Sequence, residues 1–150
     1  MGSMLERIQA IMRGELPPPP VATLLGLRLV SASKGEAVFS LDADRRHANP
    51  MGTLHGGVLC DLGDAAMGVA FASTCESEES YATIELKCNF LRPVWTAHLT
   101  AKAKVVYRGK TIGMSECDIT DEQQRLVAKL SSTLTVLRGD AARGRAIGAA

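Results

Sequence analysis

The chain has 150 residues, a length that suits one domain with a single hydrophobic core. Apolar residues make up 46% and charged residues 22%, and the net charge of +1 gives no reason to expect a nucleic-acid or anionic-membrane partner. No uncharged apolar run reaches the roughly 18 to 20 residues of a membrane span, and residues 4–13 lack the continuous apolar stretch of a signal peptide. We therefore expect one cytoplasmic globular domain.

Cysteines and histidines give no sign of a metal site or a disulfide framework. The four cysteines are widely spaced, no two form a CxxC pair, and only three histidines are present. We expect reduced thiols in a cytosolic protein and no metal. The positions are Cys60, Cys75, Cys88, Cys117, His47, His55 and His98.

Residues 1–20 predict a short helix followed by a stiff connector. Leu5, Ile8 and Met12 recur at helical spacing. Residues 17–20 are four prolines, which favour an extended polyproline conformation. The proline run is interpreted as a rigid link between helix and body, with a ligand for a proline-binding partner as the alternative.

The next segments predict two strands, a loop and a long helix. Residues 24–32 and 35–42 predict the strands, since apolar and polar side chains alternate in the second. The loop at 42–54 is rich in polar, proline and glycine residues, and such loops often carry binding groups. From Gly56 onward, apolar residues recur at helical spacing and most other positions are small or apolar, which predicts a helix buried nearly all round.

Four more strands follow the polar segment 74–80, and their short turns and alternating side chains favour an antiparallel meander. The predicted fold is α+β, with a six-stranded antiparallel sheet wrapped around one long central helix, in a domain of residues 21–138. We expect the small, polar-leaning tail at 139–150 to be disordered. The predicted strand ranges are 82–91, 97–107, 111–120 and 125–137.

The central helix carries two carboxylates, Asp61 and Asp64, and a buried charge needs a partner or a purpose. Asp64 is able to activate water or to attack a carbonyl directly. At the helix start, a Gly56-Gly57 pair leaves backbone N–H groups uncovered, and such donors stabilise an oxyanion. On spacing alone, the alternative for His55 is an ordinary helix-start residue rather than a catalyst. The alternative for Asp61 and Asp64 is exposure to solvent, although the apolar residues around Asp64 argue against it.

Spacing also bears on how such a site is assembled. His55 and Asp64 are nine residues apart, so a helical rotation of about 900° places them on opposite faces and roughly 13 Å apart along the axis. One chain does not easily bring both to a single scissile bond, whereas two antiparallel helices across a two-fold axis do. The spacing therefore predicts a site shared between protomers.

These residues resemble the hotdog-fold thioesterases, specifically the phenylacetic-acid-degradation (PaaI-like) branch. The strand after the helix, at 81–93, is also similar to that family, and the resemblance spans about residues 20–137. It implies hydrolysis of an acyl-CoA thioester to free acid and coenzyme A, with no metal or other cofactor. The matching residues of the loop and helix are Asn49, Gly52, His55, Gly56, Gly57 and Asp64.

The resemblance also implies roles for individual residues. The Gly56 N–H would polarise the thioester carbonyl, with His55 and Asn49 shaping that end of the site. Asp64 of the partner protomer would be base or nucleophile, and Thr83 would help to hold the attacking water. Asp61 does not match the catalytic position and is left with at most a supporting role.

Coenzyme A phosphates require cations, and basic residues in turns are suited to them. The same cations are equally explained as solvated surface charges. Two serines of the last predicted strand are expected to border the pantetheine channel. The expected substrate-binding residues are Gly57, Arg92, Arg108, Lys110, Ser131 and Ser132.

The resemblance further implies homodimers joined edge to edge and then paired into tetramers. A non-catalytic acyl-CoA-binding module of the same fold is the main alternative function, although the chain has no helix pair for binding DNA. An acyl-CoA dehydratase of this fold would require a histidine in the helix, so the position of Asp64 favours hydrolysis. The sequence leaves the acyl group open, since Met51 and Met67 are able to line a pocket for aryl or aliphatic groups.

Overall fold

The computed structural model describes residues 2–148 as an α+β protein in which an antiparallel sheet wraps one long helix, as predicted. The helices are α1 (Met4–Met12), α2 (Pro20–Leu25) and α3 (Gly56–Ala72). The strands are β1 (Arg28–Ser33), β2 (Glu36–Ala43), β3 (Ser80–Phe90), β4 (Ala97–Arg108), β5 (Ile112–Thr120) and β6 (Leu126–Leu137). Two short 3-10 turns lie at Arg45–His47 and Gly139–Ala142.

The six strands form one sheet in the order β1-β2-β4-β5-β6-β3, and every neighbouring pair is antiparallel. Apolar and polar side chains alternate along the strands, and helix α3 packs on the face of the sheet that carries the buried apolar ones. In this strand order, β1 and β3 are the two edges of the sheet. No helix within residues 2–148 is long and apolar enough to cross a membrane. Side chains that fill the core include Leu62, Met67, Leu99, Ile119 and Leu130.

Two glycines inside α3 mark close contacts with the sheet, which explains why a residue of low helix propensity is tolerated there. A Cβ on Gly63 would lie 2.3 Å from Leu130 Cδ2, and one on Gly68 would lie 2.6 Å from Tyr81 Oη. The helix therefore lies closer to β6 and β3 than any larger residue at these two positions would allow.

The predicted first strand at 24–32 is wrong at its start, because residues 20–25 form helix α2. Pro20 occupies the first helical position, where its fixed φ suits the helix. Gly26 ends the helix with a φ of 80°, a conformation that glycine adopts without strain. Strand β1 consequently begins at Arg28, and the last of the four prolines belongs to a helix.

Helix α1 docks on the body of the domain. A capping box between Ser3 and Glu6 starts the helix, and Ile8 is only 1% exposed. The Arg7 guanidinium donates to the carbonyl of Ile147, and Ser80 Oγ donates to the carbonyl of Arg145 at 2.9 Å. The disorder of the tail stays a prediction, since the structure describes residues 139–148 in contact with the body while 149–150 lie outside the described residues.

Candidate active site

A chain of hydrogen bonds fixes the start of α3. His55 caps the helix with an extended backbone, and its Nδ1 accepts from the Gly57 N–H at 2.9 Å. The His55 N–H donates to the carbonyl of the buried His47 at 2.9 Å. The His47 Nδ1 accepts from the Asp44 N–H at 3.2 Å, so the ring proton is on Nε2. Nε2 therefore donates to the Leu25 carbonyl at 2.8 Å. His47, which sequence reasoning passed over, therefore ties the helix start to the segment before β1.

The Gly56 N–H has no acceptor within residues 2–148, because it is the first residue of the helix and the cap bonds to Gly57. The Phe90 ring covers the α-carbon, since a Cβ there would lie 2.8 Å from Phe90 Cζ. The helix dipole adds partial positive charge at this end. Gly56 therefore offers a free donor to a developing negative charge.

Asn49 organises the loop that leads into α3. Its Oδ1 accepts from the N–H groups of Met51 and Thr53 at 2.9 and 3.2 Å, and its Nδ2 donates to Thr53 Oγ1 at 2.7 Å. Both ends of the amide are thus occupied within the loop. A direct catalytic role for Asn49 stays a prediction, and its contacts here are those of a residue that shapes the loop.

Asp64 and Thr83 of the same chain lie together, and their expected catalytic roles stay predictions. Thr83 Oγ1 donates to Asp64 Oδ1 at 3.1 Å, and the carboxylate has no other hydrogen-bond partner within residues 2–148. Burial raises the pKa of Asp64, the bond from Thr83 lowers it, and the negative charge of Asp61 raises it, so that the net direction is upward. Solvent still reaches this side chain in the single chain. A carboxylate with these surroundings is a suitable proton acceptor.

One side of α3 faces the edge strand β3 along its whole length. Gly56 and Asp64 both lie on this side, eight residues or about 12 Å apart along the axis. The placement of His55 and Asp64 on opposite faces stays a prediction, because His55 is the cap residue with an extended backbone and the helical rotation does not apply to it. The separation of Gly56 and Asp64 along the helix axis still keeps them apart within one chain. The contacts along this side are Gly56 with Phe90, Cys60 with Cys88, Asp64 with Thr83 and Gly68 with Tyr81.

The three expected phosphate-binding cations lie at different ends of α3. Arg108 lies beside the last turn, where Nε donates to Thr74 Oγ1 at 3.0 Å and Nη2 to Glu79 Oε2 at 2.6 Å. Lys110 follows in the adjoining turn and is exposed. Arg92 lies two residues after Phe90, the strand residue that covers Gly56, and its guanidinium has no acidic partner within residues 2–148. Of the three expected cations, Arg92 is therefore the one near the start of the helix.

The structure does not bring the two expected pantetheine-binding serines to one surface. Ser132 is buried facing α3, whereas its neighbour Ser131 points to the opposite face of the sheet. Ser132 pairs in register with Ser115, and both buried hydroxyls have no hydrogen-bond partner in the described part of the chain. From one protomer, only one of the consecutive serines is able to border a given channel.

A cavity of about 540 Å³ adjoins the carboxylates, and Asp61, Asp64 and Tyr81 contribute to its wall. Burial raises the pKa of Tyr81 to about 12, with the charge of Asp64 adding to the effect. Sequence reasoning missed Tyr81 as a site residue. The alternation of β3 held the signal, because a residue two positions before Thr83 faces the same side of the sheet.

Comparison with known proteins agrees with this geometry. The family model of the thioesterase superfamily matches residues 51–128. The 1,4-dihydroxy-2-naphthoyl-CoA hydrolase of Listeria monocytogenes is 32% identical over 75% of this chain and 91% of its own length. The acyl-coenzyme A thioesterase PaaI of Escherichia coli is 34% identical over 71% of this chain and 75% of its own length.

The fold comparison points the same way. The solved structure of the PaaI protein from the phenylacetic acid degradation operon of Escherichia coli superposes with a TM-score of 0.80 at 26% identity. The match covers 91% of this chain and 98% of that one. The chain therefore belongs to the thioesterase superfamily of hotdog-fold proteins, in its PaaI-like branch.

Proposed function

We propose that this protein hydrolyses acyl-CoA thioesters to free acid and coenzyme A, at a site that two protomers share. The observation that carries the proposal is the pair formed by Asp64 and Thr83 beside an apolar cavity, with the free Gly56 N–H about 12 Å away on the same helix. The named relatives are acyl-CoA hydrolases, which supports thioester hydrolysis as the reaction class.

Asp64 supplies the base in this proposal. Its carboxylate takes a proton from a water molecule that Thr83 helps to hold, and the water oxygen attacks the thioester carbonyl carbon. The resulting tetrahedral intermediate collapses, the C–S bond breaks, and the proton on Asp64 passes to the coenzyme A thiolate. Direct attack by the carboxylate is the second route, through an acyl-enzyme anhydride that water then hydrolyses.

Gly56 supplies the donor for the oxyanion. Its N–H points away from the helix that it begins and carries the positive end of the helix dipole. Because about 12 Å separates Gly56 from Asp64 of the same chain, we assign the donor to the helix of a second protomer, antiparallel across a two-fold axis. The edge strand β3 carries exposed apolar side chains at Ile84 and Phe90, which supports pairing along that edge.

The proposal also covers metal independence, the assembly and the compartment. No cluster of three His, Cys, Asp or Glu side chains is placed to bind a metal within residues 2–148, and the carboxylate mechanism requires none. We propose a dimer of dimers as the assembly. The four cysteines are free, which suits a reducing compartment such as the cytoplasm.

Mixed dimers test the shared site. Gly56→Pro removes the N–H at a position where proline suits a helix start, and Asp64→Asn removes the base. Each homodimer should be inactive. A heterodimer of the two variants retains one intact site and should recover about half of the activity of a wild-type dimer, measured as thiol release.

Gly56→Ala is the matched control, because it places a Cβ against Phe90 in the same way and keeps the N–H. Absence of rescue in purified heterodimers would contradict the shared site. If the wild-type protein binds acyl-CoA esters but releases no thiol from any of them, the non-catalytic binding module is the better description.

A further inference from the structure

The wall of the cavity beside Asp64 includes residues of α1 and the proline linker, which precede the part of the chain that the family model matches, residues 51–128. Ile8, Ile11 and Met12 contribute from α1, and Pro18 and Pro19 contribute from the linker. The volume of about 540 Å³ is within the range of small-molecule pockets.

This wall is built into the fold. Ile8 is fully buried and Met4 is 5% exposed, so a buried side chain in each of its two turns holds α1 against the body of the domain. Ile11 lies three residues after Ile8 on the same side of the helix and borders the cavity. A change at Ile11 therefore alters the cavity while the anchoring residue stays in place.

The charges around the cavity select for neutral ligands. Asp61 and Asp64 contribute two carboxylates to the wall. Among the described residues that line the wall, Arg28 is the one cation, and it is bonded to Asp42 at 2.8 Å. The Tyr81 hydroxyl lies against Gly68 and has no partner within residues 2–148. The cavity is thus apolar with negative charge at one side, and an anionic group inside it would be repelled.

We infer that this cavity receives the acyl group of the thioester and that α1 with the proline linker sets the size limit. The acyl group is neutral and apolar, either a medium aliphatic chain or an aryl group, with its carbonyl carbon at the Asp64 end. The inference rests on the proposed thioester hydrolysis, because the cavity is assigned to the acyl group by its position beside Asp64, the proposed base. It assigns selection of the acyl group to the N-terminal segment and leaves the reaction itself to α3 and β3.

Substitution of Ile11 tests the inference. Ile11→Trp should fill the cavity and lower kcat/KM for octanoyl-CoA and phenylacetyl-CoA by about tenfold or more, while butyryl-CoA changes little. Ile11→Ala should shift the preference toward longer chains. Gln9→Trp is the matched control, because Gln9 lies on α1 but not in the cavity wall, and it should leave the profile unchanged. Circular dichroism and thermal unfolding confirm that each variant is folded.

Two further arms separate failure of the inference from failure of the proposed function. S-octyl-CoA, a thioether that cannot be hydrolysed, should bind more weakly to Ile11→Trp than to Gln9→Trp in calorimetry, whether or not the protein has thioesterase activity. Equal binding and equal chain-length profiles in these two variants would overturn the inference even if hydrolysis is present. Succinyl-CoA should be a poorer substrate than butyryl-CoA, and equal rates would overturn the charge argument.

Discussion

The two ends of the central helix differ in how completely their polar groups are paired. At the end of α3, Ser73 Oγ accepts from the Gly35 N–H at 2.8 Å and donates to the Ala70 carbonyl at 2.6 Å. Thr74 Oγ1 donates to the Phe71 carbonyl and accepts from Arg108. At the start and middle of the helix, by contrast, the Gly56 N–H has no acceptor in the described chain and Asp64 has one weakly held partner.

The difference separates structural from chemical use of polar groups. Fully paired groups at the helix end stabilise the fold and have nothing left to offer a ligand. Unpaired groups reduce stability, and a fold keeps them where a ligand or a partner protomer completes the pairing. We therefore place the chemistry in the segment from Gly56 to Asp64, here called the open end of α3. Substitutions at the closed end, formed by Ser73, Thr74 and their partners, are expected to act on stability.

The largest expected effect is on the open end. Asp64→Asn should lower kcat by several orders of magnitude, since it removes the base and keeps the shape of the side chain. The same variant should raise Tm at neutral pH. The folded-state pKa of Asp64 is raised, so its ionisation destabilises the wild-type fold as the pH rises from the ordinary pKa of an aspartate to the raised one. Thiol-release assays and calorimetry at pH 7 measure the two effects.

The predicted rise in Tm of Asp64→Asn is controlled by repeating the measurement at low pH. At a pH below the ordinary pKa of aspartate, both proteins carry a neutral side chain and the difference in Tm should shrink. Unchanged turnover in Asp64→Asn would remove the residue from its catalytic role. A lower Tm would show instead that the carboxylate stabilises the fold.

An intermediate effect is expected at the closed end. Arg108→Met should lower the free energy of unfolding by about 1–3 kcal/mol, because it leaves Glu79, whose side chain is 8% exposed, with only Arg138 as an ionic partner among the described residues. Arg13→Met removes an exposed pair with Glu15 and should change the free energy of unfolding much less than Arg108→Met does. Urea denaturation measures both values.

Arg92 should show the opposite behaviour to Arg108, with an effect on substrate binding rather than on stability. Arg92→Met should raise KM for acyl-CoA esters with little change in unfolding free energy, since the guanidinium has no acidic partner within residues 2–148. If Arg108→Met raises KM more than Arg92→Met does, the closed end takes part in phosphate binding after all.

The smallest expected effect is a shift in the pH profile. Thr83→Val removes the hydrogen bond that lowers the pKa of Asp64, so the pKa should rise further and the acidic limb of kcat/KM should move to higher pH. Thr133→Val is the matched control, because Thr133 Oγ1 donates to a different carboxylate, Glu85, at 3.0 Å. A shift of equal size in both variants would show that the limb does not report Asp64.

Much of the fold is readable from the sequence because strand and helix periodicities are local. Alternation located five of the six strands to within a few residues, and the apolar run from Gly56 located α3. Helix α2 was missed, because six residues give too short a pattern and tertiary packing decides how they fold. Its signals were Pro20 at the first position and Gly26 after the last.

The site was readable only in part. Gly56 and Asp64 stand out because a glycine pair opens the helix and a carboxylate interrupts an apolar run. Tyr81 and His47 did not stand out, since a tyrosine in a strand and a histidine in a loop are ordinary in sequence. Their roles depend on contacts with residues 13 and 22 positions away, Gly68 and Leu25 respectively.

Local sequence was enough to predict α3, five of the six strands, the antiparallel sheet around one helix, and the spacing that keeps Gly56 and Asp64 apart. These follow from local geometry, which fixes rise and rotation per residue. Tertiary contacts, by contrast, place both residues against the same edge strand, pair Arg108 with Glu79, and bring α1 to the cavity wall. Those outcomes depend on packing between segments far apart in the chain, where hydrogen-bond pairing and burial decide which polar groups remain free.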